Sequence, residues 1–521
     1  MLVCLLAERY NIPSGDGILY SLPLALAKHP FDLGIPFLNN FDGYGCWWGH
    51  HWPGAMWLRG VIFFALPYSR TADVAVLSLF QLLTAATAAG VVWTATRKLW
   101  PVAATVLLIL SDRLLLLACA GNRFESIAVA VVLLWFANCV TGLDHRHAGW
   151  RWLMRAIALL CPTLHPYGLA LGLVILGFDC LGARRQGAVA SQEAWVRLAA
   201  FALGCLAVAG WFGTQPEALR QFAANLAIQK SFYQNWNAVI AGLGNYRGGG
   251  GLVLWGAGLI ASGALAVGWR AGATRSQAAI PPALRFLAPA LFVTVIAIHA
   301  VTRCENFHYL AFGTPFAVIM VGVVAARIAG TRRHRGGLSA TSESPSPARR
   351  HALVASPTYA LALRWLPAVA VWLIVLMHAT IIPFRVCQFM RAGCPDLNAG
   401  MASVLEGIPA NRAVYIPQLL WPAAADDRNH EIRWSTLPLA SPRQARQRYE
   451  HLAYAKAKPG DVLIVDNTSA AAVDRFGVQP TFPQLPPDPA KWLLLDETKQ
   501  LFRGAVPWGL DLAIYEFAGP R

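Results

Sequence analysis

Residues 72–141 read ADVAVLSLFQLLTAATAAGVVWTATRKLWPVAATVLLILSDRLLLLACAGNRFESIAVAVVLLWFANCVT. Three apolar blocks, 72–96, 101–118 and 123–141, are joined by short polar turns. A helix needs about 20 consecutive apolar residues to cross a bilayer, and each block is close to that length or longer. The first turn carries Arg97 and Lys98, and the second, CAGNRFES (119–126), carries Arg123 and Glu125. A β-barrel would alternate apolar and polar residues instead of running in long apolar blocks.

Outward from this stretch the pattern repeats. Further apolar blocks lie at 152–165, 167–183, 196–213, 251–269, 284–301, 309–327 and 364–384. Basic residues fall in alternate loops: Arg97 and Lys98, then Arg146 and Arg151, Arg184 and Arg185, Arg270 and Arg275, and finally Arg327 to Arg350. By the positive-inside rule these loops are cytoplasmic. The last, within 328–363, is rich in Gly, Ser and Pro and reads as a cytoplasmic linker. The loops 12–71, 119–124, 165–167, 214–250 and 302–308 then face outward. Only MLVCLLAERY precedes the first of them, too short to span, so it is expected to be the outer end of a truncated first helix.

Composition agrees. Of 521 residues, 56% are hydrophobic and 13% charged, against about a quarter charged in soluble domains. This excludes a soluble globular, a disordered or a disulfide-stapled chain. The net charge of +16 is no nucleic-acid footprint, because much of it sits in the cytoplasmic loops. The expected fold is a polytopic α-helical membrane protein of about 10–11 transmembrane helices, with 1–384 as the membrane domain. Residues 385–521 differ in texture. Short β-like runs, AVYI (413–416), VLIV (462–465), WLLL (492–495) and LAIYEF (512–517), are punctuated by Pro and Gly. They predict a small α/β domain on the outer face, in which Asp461, Asp466 and Asp474 read as turn and surface acids. Cys387 and Cys394 are close enough in sequence for a disulfide.

Ionisable groups at membrane depth are costly and mark function. Here they gather at the outer helix ends: Asp16, Asp42, His50 and His51, then Arg123 and Glu125, then His165, then Arg303, Glu305, His308 and Tyr309. The apolar piece WPGAMWLRGVIFFAL (52–66) is too short to span and is expected to lie along the interface as a helix. Plainer readings stand beside these. A single Arg or His at a helix end is ordinarily a snorkelling anchor, Asp42 sits in a DG turn, and adjacent His50 and His51 point apart on a helix. Glu125 either forms a structural ion pair with Arg123 or takes part in chemistry.

The order of these motifs resembles the GT-C superfamily of polyprenol-phosphate-sugar-dependent glycosyltransferases, in particular the protein O-mannosyltransferase and aminoarabinose transferase group. GDGILY (15–20, with Asp16) corresponds to that group's first acidic position, and HHWPGAMWL (50–58) to its juxtamembrane helix. NRFE (122–125) corresponds to the second acidic position, TLHPYG (163–168) to the short turn between two spans, and FHYLAFGTPFAV (307–318) to a late motif. The resemblance implies transfer of a sugar from a polyprenyl-phosphate donor to a lipid, glycan or protein acceptor at the outer membrane face, with inversion. It implies a bacterial inner membrane location, a periplasmic C-terminal domain and a role in the cell envelope, as in lipopolysaccharide modification. In that reading Asp16 and Glu125 are catalytic, and Arg123, His165 and Arg303 bind the donor phosphate. Asp42, His51, Glu305 and Tyr309 line the cavity or the acceptor site, while His51, Glu125 and His308 are candidate ligands for a divalent metal ion. A lipid or sugar transporter and a non-catalytic membrane scaffold are the competing classes.

Overall fold

The computed structural model describes residues 52–120, 123–186, 188–220, 222–223, 251–266, 280–302, 307–335, 357–380, 397–416, 424, 427, 429–434, 457–466, 490–498 and 512–519. It is predominantly helical, with a small sheet near the C-terminus. The helices are α1 (Pro53–Ala65), α2 (Arg70–Thr96), α3 (Leu99–Ser111), α4 (Arg113–Ala120), α5 (Glu125–Thr141), α6 (Leu143–Arg146), α7 (Ala148–Leu164), α8 (Pro166–Gln186), α9 (Ala188–Thr214) and α10 (Gly251–Ala266). A π-helical turn, Ala283–Leu287, leads into α11 (Ala288–Thr302), and a 3-10 helix, Phe307–Phe312, precedes α12 (Thr314–Arg335). Then come α13 (Pro357–Ala379) and α14 (Leu397–Glu406).

Among the described residues four helical stretches are long and apolar enough to cross a membrane: Thr71–Thr96, Pro166–Ala183, Ala190–Thr214 and Ala283–Thr302. Shorter apolar helices, including Leu99–Ser111, Glu125–Thr141 and Gly251–Ala266, pack with them. Large apolar side chains also cover the outer surface, among them Leu79 on α2, Leu206 on α9, Leu373 on α13 and Ile260 on α10, which is 77% exposed. Water would penalise such a surface; hydrocarbon does not. The interior is apolar too, with Trp135 and Phe136 fully buried and Phe136 edge-on to Phe316 at 5.3 Å.

Local chemistry sets the helix ends. The Ser69 hydroxyl accepts the Ala72 N–H at 3.1 Å to start α2, and Arg97 ends it in the left-handed conformation at φ 52°. Lys98 Nζ donates to the Ala326 carbonyl at 2.6 Å, which brings one basic loop against the basic end of α12. The apolar block 101–118 is not one helix. It breaks at Asp112, whose Oδ1 accepts the N–H groups of Leu114 and Leu115, each at 3.0 Å. A carboxylate in that position begins a new helix. The expected linker 328–363 is shorter at both ends, because α12 runs to Arg335 and α13 begins at Pro357.

Near the C-terminus lie β1 (Ala413–Ile416), β2 (Glu431–Trp434), β3 (Val462–Asp466), β4 (Trp492–Thr498) and β5 (Leu512–Phe517), in the order β2-β1-β3-β5-β4. β1 pairs in parallel with β2 and β3, and β5 pairs antiparallel with β3 and β4. Tyr415, Leu463, Val465, Trp492, Ala513 and Phe517 form an apolar core on one face. All four expected strands are present, and β2 is additional. Asp461 is a turn acid but not a surface one: it is buried, and its Oδ2 accepts the Lys458 N–H at 2.7 Å. The side chain of Asp466 lies outside the described residues, as do Asp474, Cys387 and Cys394.

Candidate functional site

Helix α1 and the α7–α8 turn are far apart in sequence and meet in space. Pro53 opens α1, where its missing N–H costs no hydrogen bond. The preceding Trp52 donates from Nε1 to the Pro162 carbonyl at 2.8 Å. At Gly54 the backbones approach so closely that a Cβ would overlap the Thr163 side chain. WPGAMWL is thereby fastened to TLHPYG.

His165 lies in that turn and is 4% exposed. Its Nδ1 accepts the Tyr167 backbone N–H at 3.1 Å. That nitrogen therefore carries a lone pair, and a neutral ring holds its proton on Nε2. Aromatic rings enclose the imidazole, with centroids at 5.7 Å for Phe124, 5.6 Å for Tyr167, 5.2 Å for Tyr309 and 5.0 Å for Phe312. Tyr167 stacks on Tyr309 at 5.3 Å and on Phe312 at 5.2 Å. The 3-10 helix of the FHYLAF motif thus forms one wall of the enclosure.

Arg123 and Glu125 stand at the start of α5. Arg123 Nε and Nη2 both donate to Glu125 Oε1, at 2.9 Å and 2.6 Å, and their side chains are 2% and 1% exposed. The N-terminal end of α5 favours the carboxylate. Both charges act electrostatically on His165. Of the sequence candidates, the fold brings together Arg123, Glu125, His165 and Tyr309. Asp16, Asp42, His51, Arg303, Glu305 and the side chain of His308 lie outside the described residues. Glu125 is consequently the one described member of the candidate metal set. Its Oε1 already receives two guanidinium N–H bonds, and no three His, Cys, Asp or Glu side chains converge on an ion among the described residues.

Three features escaped the sequence reading. Phe124, Tyr167 and Phe312 enclose His165, and the only advance sign was the aromatic density of the motifs that contain them. Arg59 on α1 donates from Nε to Asp73 Oδ1 of α2 at 2.9 Å and from Nη2 to Asp73 Oδ2, with both residues fully buried. At the far end of α5, about 24 Å away at 1.5 Å per residue, Arg197 bridges Asp144 and Asp179, each at 2.9 Å. Trp135 Nε1 also donates to Asp179, at 3.1 Å.

No family model matches the chain, and no curated protein matches it.

Proposed function

We propose that the chain is a polytopic membrane glycosyltransferase of GT-C type, which moves a sugar from a polyprenyl-phosphate donor to an acceptor at the outer membrane face. One observation carries this reading. A buried, hydrogen-bonded Arg123–Glu125 pair shares one end of the helix bundle with an enclosed neutral His165 and the docked helix α1. Buried ion pairs add little net stability compared with apolar replacements. What sets Arg123–Glu125 apart from the other buried pairs is the enclosed His165, on which both charges act.

Displacing a lipid phosphate from an anomeric carbon requires cationic groups for the leaving phosphate and a carboxylate for the acceptor hydroxyl. Arg123 supplies a planar cation suited to phosphate oxygens, already oriented by Glu125. The Nε2–H of His165 is a second donor for the phosphate. The aromatic walls exclude water and strengthen both interactions. Asp16 is proposed as the acceptor-orienting base and Arg303 as a further phosphate ligand. Direct displacement inverts the anomeric configuration. The apolar outer face of α1, with Val61 and Phe64 exposed, suits a lipid entrance.

The test is transfer of radiolabelled sugar from a polyprenyl-phosphate donor in purified membranes. Wild-type membranes should form a new glycosidic bond, and Asp16→Ala or Glu125→Ala should abolish it at normal expression. Sugar flux without bond formation identifies a transporter, and wild-type rates in both variants overturn the assignment of these residues.

A further inference from the structure

A cleft of about 300 Å³ opens beside the C-terminal sheet, between the end of α14 and strands β3, β5 and β4. Its floor is apolar, formed by Val462 and Ile514. Charges of opposite sign line it. Arg412 stands just before β1, and Glu516 lies on β5. Glu516 is in register with Val462 on one side and Leu493 on the other, so its half-buried carboxylate shares a face with Ile514. The carboxylate faces the cleft from a strand that is flanked on both sides, which fixes its position there. The Glu516 side chain makes no hydrogen bond or ion pair with another described residue.

Two further details shape the cleft. A bulge in β4 shifts the register between Leu494 and Asp496, which sets Asp496 opposite Ile514 and onto the cleft face. Bulges commonly re-aim side chains in this way. Across the cleft, Arg412 donates from Nη1 to the Pro459 carbonyl at 3.0 Å, and its guanidinium lies over Gly460. At Gly460 φ is +89°, a backbone conformation that favours glycine, and the guanidinium fills the space beside it. The guanidinium and the Glu516 carboxylate do not neutralise each other by an ion pair.

Opposite charges held apart over an apolar floor fit a ligand that carries both. We propose that this cleft binds a small zwitterion, a molecule with an anionic group and an ammonium group on one short frame. Arg412 takes the anion, while Glu516 takes the ammonium. A free small molecule and a lipid head group share this chemistry. The site is separate from the proposed transfer site, so the two readings fail independently.

The test is isothermal titration of the purified full chain with O-phosphoethanolamine, with ethanolamine and inorganic phosphate as single-charge controls. Saturable binding is expected, at least tenfold tighter than for either control. Arg412→Gln and Glu516→Gln should each weaken it at least tenfold without changing the melting profile. Ser403 is exposed at the cleft, so Ser403→Trp should block binding by filling it even if a charge variant fails to fold. No saturable binding, equal binding of a control, or full binding by Ser403→Trp overturns the proposal. Nanodiscs assign the source, with either result supporting the site. Competition by phosphatidylethanolamine but not phosphatidylglycerol identifies a head group, and equal binding in both identifies a free molecule.

Discussion

Replacing Arg59 with leucine should destabilise the bundle more than a typical core substitution. Arg59 and Asp73 are both fully buried, and two guanidinium N–H groups reach the two carboxylate oxygens. The pair links α1 to the first turn of α2. Removing Arg59 takes away the guanidinium that meets both oxygens of the buried Asp73 carboxylate, at a cost of about 3–5 kcal/mol. Removing both removes the desolvation penalty as well. Arg59→Leu/Asp73→Leu should therefore lie near wild type, or be more stable by roughly 1–4 kcal/mol. The assay is unfolding in detergent followed by tryptophan fluorescence, with protease sensitivity of 52–66 reporting whether α1 stays docked. The double variant should be less damaged than either single one. A single variant costing under about 1 kcal/mol, or additive losses in the double, would refute it.

Gly54→Val should separate α1 from the α7–α8 turn, because its side chain would occupy the position of Thr163; loss of protease protection at 52–66 checks this, and Gly54→Ala should show a milder form. Asp112→Ala removes the acceptor for two backbone N–H groups, so it should cost roughly 1 kcal/mol of stability in the same unfolding assay, whereas Asp112→Asn should keep most of it. Arg197→Met leaves the buried Asp144 and the partly buried Asp179 without their shared cation and should cost about 3–5 kcal/mol, with thermal inactivation as the readout.

Much of this architecture was legible in residue order. The block boundaries of α2, α5 and α8 follow from apolar length, and four strands announced themselves as Val-, Ile- and Leu-rich runs between turn residues. β2 did not, because EIRW alternates charge with apolar residues over only four positions and resembles loop sequence. The break at Asp112 was hidden because LLILSDRLLLL is apolar on both sides, and only the capping geometry shows that its one carboxylate turns inward. In the site, Glu125 and Arg123 were visible because they are adjacent charges at the start of an apolar block. Arg59 and Asp73 were not: they lie 14 residues apart across a turn, and nothing in the spacing signals a pair. The enclosure of His165 depends on rings from three separated segments, and convergence of that kind is a tertiary property.

In the proposed reaction the donor phosphate binds beside Arg123 and His165. Photolabelling with a diazirine-bearing polyprenyl phosphate, followed by peptide mapping, tests it most directly. Labels are expected to concentrate within 52–66, 163–168 and 307–312, to be competed by unlabelled polyprenyl phosphate and to be reduced by Arg123→Met. Diffuse labelling along the lipid-facing helices, unaffected by competitor and by Arg123→Met, would contradict it.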